Sequence, residues 1–159
     1  MNVRLAKDYS LLASIYWNDE VMSNYYSISL GMLTNSLSNS EQNIAFGRVS
    51  SYIGDILQSG VFIQEVEKEQ IHQLQNAKIK TIILPEQPFD QSIAIMLFCK
   101  LNAICEDKLL ITDVTVTGNG TGYSAPIGIT ISGTEVFTTL NVANTMVSFY
   151  NADKSTKKY

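Results

Sequence analysis

Four carboxylates, Glu65, Glu67, Glu86 and Asp90, fall beyond the carboxyl ends of strands in a predicted parallel sheet, and a fifth, Asp113, lies within one. Ligands of such sheets gather beyond the carboxyl ends of the strands. Carboxylates converging there could hold a divalent cation through oxygen ligands, the arrangement that metal-dependent phosphodiester hydrolysis requires. Each acid also has a plain structural role. Asp90 stands where a helix N-cap belongs, Glu67 complements a helix dipole, Glu86 lies in a loop, and Asp113 sits in mid-strand. The hydrolase reading therefore needs at least two of Glu65, Glu86, Asp90 and Asp113 within reach of one cation.

Other chemistries find less to work with. The cluster GNGTG at 118–122 follows a strand, but Tyr123-Ser124-Ala125-Pro126 comes after it instead of a helix N-terminus, so it reads as a β-connection and not as a phosphate loop. Cys99 and Cys105 lie six residues apart in one helical segment, pointing to different faces, and read as buried thiols in a reducing compartment. The single histidine, His72, has no ligand partner at zinc spacing, and no serine stands in a nucleophile elbow. No catalytic, metal or cofactor-binding residue is assigned, no cofactor is expected, and the chain is read as a non-enzyme. Aromatic side chains are the better lead: Tyr16, Trp17, Tyr25 and Tyr26 flank a turn, and with Phe89 and Tyr123 they form the candidate contact residues.

The elements that position these residues centre on Lys78 to Thr117. A β-branched run, Ile79 to Leu84, leads through a proline-bracketed loop into an apolar helix, Gln91 to Cys105, and then a strand from Leu109 to the glycine at 118. Upstream, Val61 to Val66 reads as a strand and Glu67 to Asn76 as a short helix. The alternation predicts a parallel βαβαβ centre over 61–117 with neighbouring, right-handed crossovers. Before it, Leu5, Leu11, Leu12, Ile15 and Tyr16 recur at helical spacing, predicting a helix over Val3 to Trp17. Tyr26, Ile28, Leu30 and Met32 alternate with small residues, predicting a half-buried strand. Ser38 and Glu41 fit a capping box for a helix over Glu41 to Ser59 that buries Ala45, Val49, Ile53, Ile56 and Leu57 and stops on a left-handed Gly60. Beyond the centre, 118–150 reads as a β-meander with strands at Val136 to Val142 and Met146 to Tyr150, followed by a polar, basic tail at 151–159.

The fold class is therefore α/β: one domain over 1–150 with a mixed sheet, amino-terminal helices packed on it, and an antiparallel β-extension at the carboxyl end. The composition agrees. The chain has 159 residues, 45% of them hydrophobic and only 16% charged, where about 25% is usual. A weakly charged surface favours association over repulsion. The helix between Gln91 and Cys105 has almost no polar face and needs cover on most sides, from the sheet, the amino-terminal helices or another subunit. A net charge of −4 argues against a nucleic-acid partner held through phosphates. The longest apolar run, Ile93 to Cys99, is too short for a bilayer, and Met1 to Ser10 has no apolar signal core, so a soluble protein without a secretory signal peptide is expected.

Two stretches carry a resemblance. LPEQPFDQSIAIMLFCKLNAICEDKLLITDV, Leu84 to Val114, is similar to segments of small, functionally unassigned proteins of tailed bacteriophages. GTGYSAPIGITISG, Gly120 to Gly133, resembles a turn-and-strand pattern of phage tail and fibre-associated proteins. The resemblance transfers no site residues. It implies a phage origin; the low surface charge, the apolar helix with little solvent face and the β-rich carboxyl-terminal segment add the expectation of a non-enzymatic phage protein, in the host cytoplasm or the virion, acting through subunit contacts as a structural or assembly component, with a homo-oligomer or larger assembly as partner. The alternatives are a cytosolic phage factor that binds a host protein or a small signalling molecule, and the metal-dependent hydrolase.

Overall fold

A computed structural model describes residues 3–34, 39–106, 108–119 and 128–132. Its sheet is built on a long hairpin. Strands β1 (Val3–Trp17) and β2 (Glu20–Thr34) pair antiparallel along their whole length, from Val3 opposite Thr34 to Trp17 opposite Glu20. The two residues between them, Asn18 and Asp19, both have positive φ (54° and 65°). That is the backbone of a primed two-residue turn, whose twist matches the strands it joins.

Helix α1 (Asn39–Ser51) runs without interruption into a π-helical turn, Tyr52–Leu57, closed by the Gln58 amide donating to the Ile53 carbonyl at 3.0 Å. Strand β3 (Val61–Gln64) follows, then α2 (Lys68–Asn76), β4 (Thr81–Leu84), α3 (Asp90–Cys105), β5 (Leu110–Asn119) and β6 (Gly128–Ser132). The strand order is β4-β3-β1-β2-β5-β6. β3 is parallel to both β1 and β4, whereas β2–β5 and β5–β6 are antiparallel.

The main core lies between the sheet and α1 and α3. Leu11, Ala13 and Ile15 of β1, and Tyr26, Ile28, Leu30 and Met32 of β2, face it on alternate positions, as do Val114 and Val116 of β5. On the opposite face, α2 lays Ile71 and Leu74 over Tyr16, Val61 and Ile63 to make a second, smaller core. β3 is thus buried on both faces, which explains its unbroken Val-Phe-Ile run.

The α/β class, the mixed sheet, the β2 alternation and the parallel β3-α2-β4 unit are as expected. Several details are corrected. Val3–Trp17 is a strand at the centre of the sheet, not a helix packed on it. Its adjacent apolar pairs misled the periodicity: Leu11 is buried against the helices while Leu12 is 53% exposed on the other face, and Ile15 and Tyr16 belong to the two different cores. Apolar residues on both faces of one strand mimic helical spacing. β5 is not a neighbour of β4. It runs in the same sense, but β3 and the hairpin lie between them, so α3 crosses the sheet from one side to the other. β5 also continues to Asn119, with Gly118 buried inside it.

The helix expected to end at Ser59 ends at Leu57, and Ile56 is exposed instead of buried, because the π turn inserts an extra residue per turn and rotates it out. The left-handed residue is Ser59 (φ 66°), not Gly60. Gly60 has a different role, close approach: a Cβ there would meet the end of the Ile82 side chain and sit 3.0 Å from the Leu57 carbonyl oxygen. Asp90 opens α3, and the cap position belongs to Phe89, which offers no capping side chain. Ser38 of the proposed capping box, the glycines at 120 and 122, Tyr123, the strands at 136–142 and 146–150 and the tail at 151–159 lie outside the described residues.

α3 receives the cover its composition demands. It packs against β5, β6 and α1, burying Ile93, Ala94, Met96, Leu97, Phe98, Cys99, Leu101 and Cys105. Asn102, a polar interruption in the sequence, is a bridge: its amide donates to the Phe98 and Ile111 carbonyls at 3.2 Å, and its Oδ1 accepts from the Ile111 amide at 2.8 Å. It fixes the start of β5 against the helix.

Candidate interaction surfaces

The strand-end carboxylates do not come together as the parallel-sheet rule predicts. Glu65 and the 85–90 loop follow the carboxyl ends of β3 and β4, near the hairpin turn. Asp113 stands near the beginning of β5, opposite Gly31, which itself pairs with Ala6 at the far end of the hairpin. Its carboxylate lies across Gly31, in the space a Cβ would need, and accepts from the Thr112 hydroxyl at 2.8 Å. Among the described residues no group of three or more His, Cys, Asp or Glu side chains is placed to hold a metal ion. His72 is exposed on α2.

Both cysteines are buried free thiols. Burial pushes Cys99 up to about 12 and, eased by the Arg48 charge, Cys105 up to about 11, so neither is activated towards a thiolate.

The aromatic set divides. Tyr26 is wholly buried, its ring edge-on to Phe62 at 6.0 Å between centroids, and cannot contact a partner. Its hydroxyl is buried with no hydrogen-bond partner within bonding geometry among the described residues. Burial raises its pKa, the Asn24 side chain beside the hydroxyl opposes that rise, and the Asp90 charge adds to it by a smaller amount. Tyr16 is core beneath α2, its hydroxyl donating to Asp19 Oδ1 at 3.3 Å. Trp17 and Phe89 meet edge-on at 6.3 Å, and Trp17 Nε1 donates to Gln87 Oε1 at 3.0 Å, tying the hairpin end to the loop before α3. Among the described members of the set only Tyr25 stands on the open face of the sheet, donating its hydroxyl to Ser10 Oγ at 3.0 Å.

That face, which no described element other than α2 covers, carries mostly short hydroxyl side chains. Ser27, Ser29, Thr115 and Thr130 occupy neighbouring positions, with the two threonine hydroxyls 2.7 Å apart. Near the hairpin turn it becomes apolar at Leu12, Val21 and Tyr25, all exposed.

Sequence reasoning gave no notice of two further surfaces. The first is the β4 edge. The Val61 amide donates to the Lys80 carbonyl at 2.9 Å and the Glu65 amide to the Leu84 carbonyl at 2.8 Å. In a parallel ladder this spends the backbone groups of alternate residues on β3 and turns those of Thr81 and Ile83 outwards. β4 is the outermost described strand on this side. Ile79, Ile83 and Val66 are exposed around it. The second surface is a groove of about 530 Å³ across the helical layer, lined by Ile44, Gly47, Arg48, Ser51, Tyr52, Ile56 and Ile104, with Asn43 at its rim. Arg48 forms one wall, its Nη1 donating to the Ile104 carbonyl at 3.1 Å and lying 3.6 Å from the Glu106 carboxylate. Among the described residues no helix is long and apolar enough to cross a membrane.

No family model and no curated sequence matches the chain. The fold has solved counterparts. An uncharacterized protein, WS1659 from Wolinella succinogenes, superposes with a TM-score of 0.57 at 9% identity, covering 84% of this chain and 99% of that one. A catalytic-residue mutant of 6-pyruvoyltetrahydropterin synthase from Plasmodium vivax gives 0.52 at 10% identity, covering 82% and 97%. A second structure of that Plasmodium vivax enzyme gives 0.50 at 8% identity over the same shares. At these identities the likeness is one of fold: this chain shares the mixed α/β architecture of those proteins.

Proposed function

We propose that the chain is a non-enzymatic building block of a phage-type assembly, in the virion or the host cytoplasm, that joins further copies through the β4 edge. The exposed edge itself carries the proposal. Outward-turned backbone groups at Thr81 and Ile83, flanked by exposed Ile79 and Val66, form a template for another strand. Within Thr81–Leu84 itself there is no proline and no charged residue. The low charge of the whole chain and the uncovered sheet face at Leu12, Val21 and Tyr25 support the same reading.

The test is the mass of the purified chain in solution against concentration, together with Ile83→Lys, a charge on the edge that disfavours strand addition. A multimer that the substitution dissociates supports the proposal; a wild-type monomer at every concentration refutes it. The Plasmodium structures make pterin synthesis the competing reading. Turnover of a pterin precursor by the same preparation would overturn the non-enzymatic assignment.

A further inference from the structure

We propose that the outer face of α1 and its π turn is a second, two-fold contact with the same face of another copy of this chain. Ile44, Gly47, Arg48 and Ser51 follow one another at helical spacing of three and four residues and are all exposed or line the groove. An uninterrupted α-helix would carry Ile56 away from this stripe. The π turn brings it, 52% exposed, into the same groove. The space above Gly47 is open, with nothing within 4 Å of a Cβ placed there, so the stripe is a hole with a knob two turns away.

A second copy fits this surface because the stripe complements itself. Two such helices set antiparallel about an axis between Ser51 and Tyr52 bring Gly47 of each level with Ile56 of the other, and Arg48 of each level with Asp55 of the other. Charge selects that register. An axis at Arg48 would instead oppose like charges, Arg48 to Arg48 and Glu41 to Asp55. Arg48 and Asp55 are both exposed. The existing Arg48–Glu106 pair, at 3.6 Å and solvent-exposed, occupies one guanidinium nitrogen and leaves donors on the other edge for a second carboxylate. A contact of this kind is isologous and closes at two copies. It uses the helical layer and is independent of the strand edge.

The experiment uses the full chain carrying Ile83→Lys, so that the strand edge is out of play, and reads mass by sedimentation velocity. A two-chain species is expected. Adding Gly47→Leu should reduce it to one chain with no loss of melting temperature, since the monomer has room for the side chain. Asp55→Arg should do the same. Mixing the Asp55→Arg chain with an Arg48→Asp chain should restore the two-chain mass, because both ion pairs then have opposite signs. Ser51→Cys, beside the axis, should cross-link on mild oxidation while the buried native thiols stay free. An Ile83→Lys chain that is monomeric at the highest attainable concentration overturns the proposal, as does a dimer indifferent to Gly47→Leu and Asp55→Arg. A wild-type multimer that yields to Gly47→Leu but not to Ile83→Lys would support this contact while refuting the strand-edge one.

Discussion

The Tyr26 hydroxyl is a buried polar group that the described structure leaves without a hydrogen bond. An unpaired buried hydroxyl costs about 1–3 kcal/mol. Tyr26→Phe keeps the ring on Phe62 and removes that cost, so chemical denaturation should show a protein of equal or greater stability, by up to about 1–2 kcal/mol. A clear loss of stability would show that the hydroxyl has a partner after all. The thiols give a pH prediction. Their ordinary value is 9.0, and burial raises Cys99 to about 12 and Cys105 to about 11. Above pH 9 the unfolded chain releases these protons while the folded chain keeps them, so the thiol contribution is fully present below pH 9 and is lost between pH 9 and about 12. Melting temperature should fall across that range, and Cys99→Ala with Cys105→Ala should flatten the fall relative to its own value at pH 8. Parallel curves would contradict it. Gly31 and Asp113 are coupled in the same local way. Gly31→Ala displaces the carboxylate from its Thr112 bond and should cost about 0.5–1.5 kcal/mol. In an Asp113→Ala background the same change should cost nothing, which a double-mutant cycle would resolve.

Among the elements, legibility followed how many faces each one buries. β2 alternates cleanly because its outer face is solvated, and its buried set, Tyr26, Ile28, Leu30 and Met32, could be read directly from the sequence. α3 was readable for the opposite reason, being apolar nearly all round and too long for a strand. β1 was not. Leu12 and Tyr16 on its second face supplied the extra apolar residues that completed a helical pattern, and the Asn18-Asp19 turn lacks the glycine that usually marks a hairpin. The π turn was equally hidden, since an i to i+5 hydrogen bond leaves no compositional trace, and with it went the exposure of Ile56. The strained connection after that turn can be tested. Ser59 holds φ at 66°, a conformation glycine adopts freely. Its amide donates to the Leu12 carbonyl at 2.7 Å, a bond the backbone keeps whatever the side chain. Ser59→Gly should therefore raise stability by roughly 0.5–1 kcal/mol in denaturant titration. A loss would mean that the Ser59 side chain is needed.

At the scale of the molecule, the sheet separates what the sequence places side by side. β4 and β5 flank α3 in the chain, yet the hairpin and β3 lie between them, and this separation removes Asp113 from the other strand-end acids. No local pattern could announce it, because strand order depends on which long-range pairings win, and the long β1–β2 hairpin takes the centre. The aromatic contact set was scattered by the same topology, leaving Tyr26 and Tyr16 in two cores, Trp17 and Phe89 at the hairpin end and Tyr25 on the open face. What the described residues offer instead is exposed surface on a β-edge and on a helical layer. Both are proposed here as contacts with other copies of the chain. The most direct measurement is the mass of the wild-type chain by light scattering across a wide concentration range, beside Ile83→Lys at the same concentrations. The account predicts a wild-type species of several chains and a smaller Ile83→Lys species with an unchanged circular-dichroism spectrum. A wild-type chain that stays at 17.6 kDa throughout would contradict it.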